Sequence, residues 1–438
     1  MHSTLESGRR IARSSGDRIS KSALVMACSF RADGEASTGV CNRQRAASRL
    51  DSIPAALYSA LAMELNVGIT FTQEQEMLRS SARAFLNKEA PLTFVRSLEQ
   101  APASFPAELW KKIADLGWPS LPVPAQYGGS DGSFLDVAVL LDELGRAAFP
   151  GPYLWTALSA MLLQQYGSEE QKRKHLPAVA DGVAVFTIAW PEKAGEYTAE
   201  HLAATLHLAA GGYALTGNKY FVPCGSYATH YLVAAKTPEG KVAVTIVPRV
   251  QASVSAKALA TTGWDNQANV DFRATPVAKG DLLPGDGAAI LERAIQLGAA
   301  MQSLFMSGMA QRALEFTRDY AKVRVQFGRP IGSFQAVQHH LANMASDADI
   351  SRNTAYRLAE RIVQGGDIAF EASAAKAWCA PACMRVMQTG HQVHGGIGVI
   401  TDHAMQMYFL RMKPLETLLG DADFHTKRVG ARLMDLVA

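Results

Sequence analysis

Between residues 183 and 275 the chain abandons the three-to-four-residue spacing of apolar side chains that governs it on both sides. The runs VAVFTIAW, ATLHLAA, YALTG, HYLVAAK, KVAVTIVP and NVDFRA are short, rich in Val, Thr, Ile and aromatics, and separated by Gly, Pro and Asn. Side chains alternate across a strand, so runs of this kind bury themselves in a sheet and cannot settle as helices. No helix-length pattern interrupts them. That disfavours a doubly wound nucleotide fold and predicts a small antiparallel sheet domain. With helical periodicity before and after it, the fold class is α+β multidomain: an N-terminal helical domain, a central antiparallel β domain and a C-terminal helical bundle of the four-helix type.

The helical flanks carry their own punctuation. Thr72 followed by Glu74, Gln75 and Glu76 reads as an N-cap with acids in the first turn. Pro106 opens a helix with apolar positions Leu109, Trp110, Ile113 and Leu116, stopped at Gly117. Residues 119–133 are loop chemistry, and helical patterns resume at 134–145 and 153–166. Ser168 caps a polar segment that ends at Pro177. In 334–362, Phe334, Val337, Leu341, Met344, Ala348, Ala355, Leu358 and Ile362 recur in steps that share one face of a long bundle helix, a core stripe. The expected domains are 63–180, 181–284 and 285–438.

A chain of 438 residues is too long for one small core. Its 43 Lys+Arg against 40 Asp+Glu leave a net charge of +3, which gives no electrostatic reason to expect nucleic acid. Five cysteines, at 28, 41, 224, 379 and 383, form no C-x-x-C and no even framework. Cys379 and Cys383, four apart in a helical pattern, read as small buried residues. The uncharged stretches 147–168 and 294–311 are broken by Pro and Gly or by Gln and Ser, so neither reads as a membrane span. A soluble, cytoplasmic protein is expected. Residues 1–62 hold nine Arg/Lys, five Asp/Glu and eleven Ser without sustained apolar periodicity. The acids count against a mitochondrial presequence, and the segment reads as a disordered leader or as sequence upstream of a start at Met63.

The common nucleotide signatures are missing, and His391, His394 and His403 lack a convincing Cys or carboxylate partner for a metal. Two segments have more content. In Tyr320-Ala-Lys-Val-Arg324-Val-Gln326-Phe327-Gly328-Arg-Pro330-Ile331-Gly332, a guanidinium and an amide stand beside an aromatic ring. That set suits a phosphate and a flat heterocycle, and equally a capped helix–helix turn. In Gln392-Val-His394-Gly395-Gly396-Ile-Gly398, three glycines in four let backbone N–H groups approach an anion, or simply stop a helix.

Together with LGWPSLPVPAQYGG (116–129), LDELGRA (141–147) and GSEEQKRKHLP (167–177), these two segments make residues 63–438 resemble the acyl-CoA dehydrogenase family. The resemblance implies a helical–sheet–helical fold binding FAD between subunits, in a homo- or hetero-oligomer, dimer or tetramer. It implies that Arg324, Gln326 and Phe327 contact the FAD of a neighbouring subunit and that Gln392, Gly395, Gly396 and Gly398 lie along its ADP portion. The implied chemistry is α,β-dehydrogenation of an acyl-CoA: a carboxylate takes the α-proton, the β-hydride goes to the flavin, and an electron-transfer flavoprotein takes the electrons.

The sequence departs from that pattern on the redox side. One family position for the base lies nine residues after the arginine matched by Arg411 and falls on Gly420; the other lies 26 residues before Arg324 and falls on Gly298. Neither can accept a proton. Glu292 lies six residues before Gly298, about 240° away around a helix, which suits a surface or salt-bridging role. Asp421, beside Gly420, is the better substitute, with a turn or N-cap role as its alternative. Where the family reads a T-E-P-like segment, this chain has Ala189-Trp190-Pro191-Glu192-Lys193-Ala194-Gly195. Where a W-x-T/S segment covers the flavin it has Phe221-Val222-Pro223; Phe221 can stack, but Pro223 offers neither hydroxyl nor N–H. Three functions follow: a dehydrogenase with a displaced base, the silent subunit of a heteromeric dehydrogenase whose sister supplies the carboxylate, or a flavin- or acyl-CoA-binding protein without turnover.

Overall fold

Side-chain caps start the N-terminal helices. The Thr72 hydroxyl accepts from the Gln75 N–H at 3.2 Å while the Gln75 side chain accepts from the Thr72 N–H at 3.1 Å, and helix α1 (Gln73–Glu89) follows with Ala82 and Leu86 inward. A computed structural model describes residues 69–100, 105–192 and 197–437 of the chain. The expectations for the leader, for a start at Met63 and for Lys193, Ala194 and Gly195 lie outside those residues. Helices α2 (Leu92–Ser97) and α3 (Ala107–Asp115) come next. Leu109, Trp110 and Ile113 are buried as expected, but Leu116 is 45% exposed because the helix has already ended. Capping boxes at Ser133 and Ser168 open α4 (Phe134–Arg146) and α6 (Glu169–Ala180), with α5 (Tyr153–Tyr166) between them. Helix α6 does not stop at Pro177. A proline forfeits only its own N–H bond, and Leu176 and Val179, fully buried around it, anchor the last turn.

The central region is a seven-stranded sheet: β1 (Phe186–Ala189), β2 (Thr205–Ala209), β3 (Gly212–Pro223), β4 (His230–Lys236), β5 (Val242–Pro248), β6 (Val254–Ala258) and β7 (Gln267–Ala278). Strand order is β1-β4-β2-β3-β7-β6, with β5 also on β4. Most pairs are antiparallel, but β1 runs parallel to β4, from Phe186 opposite His230 to Ala189 opposite Val233. The chain between them is long enough for that crossover, and no local signal announces it. Strand β6 was also not foreseen, since VSAKA is too polar and small to stand out.

The C-terminal helices are α7 (Gly287–Val323), α8 (Gln335–Gln364), α9 (Ala369–His394), α10 (Ala404–Thr417) and α11 (Ala422–Val437). Helices α4 and α7 cross closely because each puts a glycine at the contact. A Cβ on Gly145 would sit 2.0 Å from the Phe305 carbonyl oxygen, and one on Gly308 2.1 Å from that of Asp142. Of the α8 stripe, Met344, Ala348, Ala355 and Leu358 are buried, whereas Phe334, Val337 and Leu341 are only half-covered. Cys379 and Cys383 are buried free thiols in a methionine-rich core with Met306, Met309, Met384 and Met405. Among the described residues no helix is long and apolar enough to cross a membrane.

Candidate functional site

Helix α7 ends at Arg324, and the chain turns through a two-stranded hairpin, β8 (Val325–Gln326) and β9 (Arg329–Pro330), before α8. Gln326 pairs with Arg329, so the loop is Phe327-Gly328. Both have positive φ, 54° and 77°, which is what a two-residue hairpin loop requires. A phenylalanine held there is strained, and its ring is 92% exposed. Arg324 and Gln326 are exposed as well. The glycine segment caps the end of α9: Gly395 has φ +63°, and no atom lies within 4 Å of where a Cβ would stand on Gly395 or Gly396. Gly398 is different, buried against His394. The rings of Tyr320 and His394 stack at 4.5 Å, which ties the end of α7 to the end of α9. The two motifs, about seventy residues apart in sequence, therefore meet at this stack. His394 also packs on His403 at 4.8 Å, and its imidazole Nδ1–H donates to the Gly390 carbonyl at 2.8 Å. Sequence reading missed the stack, although Tyr320 and His394 stand inside the two motifs.

Phe221 is placed elsewhere, by a bulge. The β3–β7 register slips between Lys219–Val270 and Val222–Ala268, so Tyr220 and Phe221 face a single residue and Phe221 adopts φ +52°. Bulges re-aim side chains in this way. Just before the bulge, the fully buried Lys219 ammonium donates to Glu192 at 2.7 Å and to the Ala234 carbonyl at 2.6 Å, and burial lowers its pKa to about 8. Glu192 in turn accepts from the Ala203 and Ala204 N–H groups. The degenerate 189–192 segment thus keeps a structural carboxylate that sequence reading overlooked. Phe221 lines an open cleft of about 660 Å³ with Tyr197, Thr262, Lys413, Thr417 and Asp421. A second, smaller apolar cavity of about 60 Å³ adjoins it, the two sharing Gly263, Pro414 and Leu418.

The two glycines at the family base positions converge on one leucine. A Cβ on Gly298 would meet Leu419 Cδ1 at 2.1 Å, and Gly420 follows Leu419 in sequence, its own Cβ position 2.2 Å from the Phe424 ring. Leu419 is 1% exposed and, like Gly420, has positive φ. Carbon fills the place a carboxylate would need. Behind it, Lys376 is buried with its ammonium donating to Gln302 (2.6 Å) and to the Leu415 carbonyl, and desolvation lowers its pKa to about 7. The His425 ring donates to the Leu419 carbonyl at 3.0 Å. Asp421 is exposed, and its carboxylate accepts from the Phe424 N–H at 2.8 Å, capping α11. Glu292 is bound to Arg428 and accepts from Gln296 at 3.0 Å, in the salt-bridging role expected for it.

With this geometry in hand, comparison with known proteins decides the family. The profile "Acyl-CoA dehydrogenase, N-terminal domain" matches residues 72–183, and "Acyl-CoA dehydrogenase, C-terminal domain" matches 285–434. The chain belongs to the acyl-CoA dehydrogenase family. It is 34% identical over 354 residues to acyl-CoA dehydrogenase FadE27 of Mycobacterium tuberculosis, covering 78% of this chain and 92% of that one. Among solved structures, the ChsE4-ChsE5 complex from Mycobacterium tuberculosis matches at 31% identity and a TM-score of 0.77, covering 84% and 98% of the two chains. A variant of the Tcur3481-Tcur3483 steroid ACAD matches at 29% and 0.76, covering 83% and 99%. The cofactor of an acyl-CoA dehydrogenase of this kind is FAD. The exposed arm and the open backbone at Gly395 and Gly396 accommodate a flat ring and a diphosphate, whereas Pro223 offers nothing to a flavin ring.

Proposed function

We propose that this chain is one of two unlike subunits of an FAD-dependent dehydrogenase that introduces an α,β double bond into an acyl-CoA in the cytoplasm. In this reading it holds the ADP half of a flavin whose ring lies in the sister chain. The observation that carries the reading is Gly298 and Gly420 packed around Leu419, with no carboxylate where the family places one. Removal of the α-proton then falls to a carboxylate of the sister chain. Bound FAD supplies the acceptor for the β-hydride, and an electron-transfer flavoprotein takes the electrons. Arg324 offers a guanidinium fork to phosphate oxygens, Gln326 an amide, and Phe327 a face for stacking. Gln392 and the backbone N–H groups of Gly395, Gly396 and Gly398 border the same diphosphate. Support comes from likeness to the ChsE4-ChsE5 complex and to the Tcur3481-Tcur3483 steroid ACAD.

The test is co-purification. Arg324→Ala should cut the FAD content of the assembled protein at least tenfold, while this chain alone should not bleach bound FAD when an acyl-CoA is added anaerobically. Bleaching by the lone chain would defeat the reading. One observation favours a second reading, a chain active by itself with Asp421 as base: Asp421 lines the same cleft as Phe221. Under it, Asp421→Asn should slow flavin reduction about 100-fold, the scale of a lost general base.

A further inference from the structure

The cavity beside the cleft has lost its redox neighbours but kept an unusual wall. Phe149, Leu154, Trp155, Phe305 and Leu418 make it apolar, and two charged side chains, Asp265 and Arg411, also line it. Asp265 is held by the Thr261 hydroxyl at 2.5 Å and by the Gln267 amide. Those bonds occupy about two of the four lone-pair directions of a carboxylate. Among the described residues no cation forms an ion pair with it. Burial raises its pKa against the pull of its hydrogen bonds and of the Arg411 charge, so the desolvation of this carboxylate is only partly offset. The loop is also strained on both sides of it: Trp264 and Asn266 have φ of 51° and 55°, although neither is glycine. Asn266 is pinned by donating to the Pro150 carbonyl at 3.3 Å, so the loop is fixed against the cavity's opposite rim. Arg411, 6% exposed, donates through its terminal nitrogens to the Ala148 and Val95 carbonyls and pairs with Glu99 at 3.5 Å. Its Nε–H is buried without a partner among the described residues.

A carboxylate with acceptor capacity to spare and an arginine with an orphan N–H line the same apolar cavity, which suits a ligand group that both donates and accepts. A hydroxyl does so. A carboxylate on the ligand would be repelled by Asp265, and an ammonium has no lone pair for Arg411. We infer that this chain's cavity binds an acyl thioester whose acyl group carries a hydroxyl, donated to Asp265 and accepting from Arg411. The inference rests on the acyl-CoA reading above, and it makes the subunit without a base a binding site in its own right.

Binding to the FAD-loaded full chain, together with any chain that co-purifies, tests it by calorimetry with octanoyl-CoA against its 4- to 8-monohydroxy derivatives. At least one hydroxylated ligand should bind roughly 10- to 100-fold more tightly than octanoyl-CoA, the scale of one hydrogen bond to a buried charge. Asp265→Leu should abolish that preference while octanoyl-CoA still binds; Thr261→Val, a smaller change, should weaken the preference. Equal binding of all ligands by the unaltered protein would overturn the inference and leave the acyl-CoA reading standing. No binding of any of them would overturn both.

Discussion

At residue scale, a helix N-cap and a catalytic base make different demands on a carboxylate, and Asp421 meets the first. Its oxygen accepts the Phe424 N–H at 2.8 Å, and the side chain is exposed to water instead of enclosed in the dry pocket a base would use. Replacing it with alanine should destabilise the protein by about 1 kcal/mol through the lost cap, as read by denaturant unfolding. Flavin reduction in the assembled complex should stay within about twofold of the parent, since on our reading the base lies on the sister chain. A 100-fold slowing would transfer the base to Asp421 instead. Spacing alone placed glycine at both base positions. That Leu419 and the Phe424 ring fill the gap could not be read there, because it depends on a positive-φ turn at Leu419 and Gly420 that brings α11 back onto α9.

At the scale of elements, the Lys219–Glu192 pair joins β3 to the segment after β1, immediately before the bulge that presents Phe221. The ammonium is fully buried, so its attraction to Glu192 must offset a large desolvation cost. Glu192→Leu should therefore cost about 3–5 kcal/mol by leaving a buried cation unpaired, and the double replacement Glu192→Leu/Lys219→Met should recover most of it. Equal losses in the single and double variants, measured in urea, would show the pair to be inert. Much at this scale was legible: the caps at Thr72 and Ser168, the switch of period at residue 183, and a turn between two helices around Phe327 all follow from local chemistry, although the hairpin form of that turn does not. The parallel β1–β4 pairing and the passage of α6 through Pro177 were not, because long-range pairing and tertiary burial decide them. Nor was the role of Glu192 visible, since its partner lies 27 residues away on another strand.

At the scale of the whole molecule, buried histidines and shared flavin each make a prediction. Burial draws His175 down to about 4 and His425 to about 3, and it lowers His230, His391, His394 and His403 as well. Below pH about 6.5 an unfolded chain takes up protons on these rings while the folded one does not, so stability falls as pH falls through that window. His175 and His425 should each contribute about 2 kcal/mol to the loss between pH 7 and pH 5, and a His175→Gln/His425→Gln variant should show a flatter dependence of Tm on pH. The second prediction concerns stoichiometry. On the reading proposed above, the motifs on the arm and at the end of α9 serve a flavin held in another chain, whereas Pro223 and Leu419 occupy positions where this chain would otherwise serve a flavin ring and a base. An assembly of this chain with its sister should therefore carry one FAD per pair of unlike chains, its ring in the sister and its ADP half against Arg324 and Gly395. Native mass spectrometry with the visible spectrum measures that ratio. Two flavins per pair would mean that the cleft beside Phe221 seats a ring of its own, and the division of labour between the subunits would then have to be abandoned.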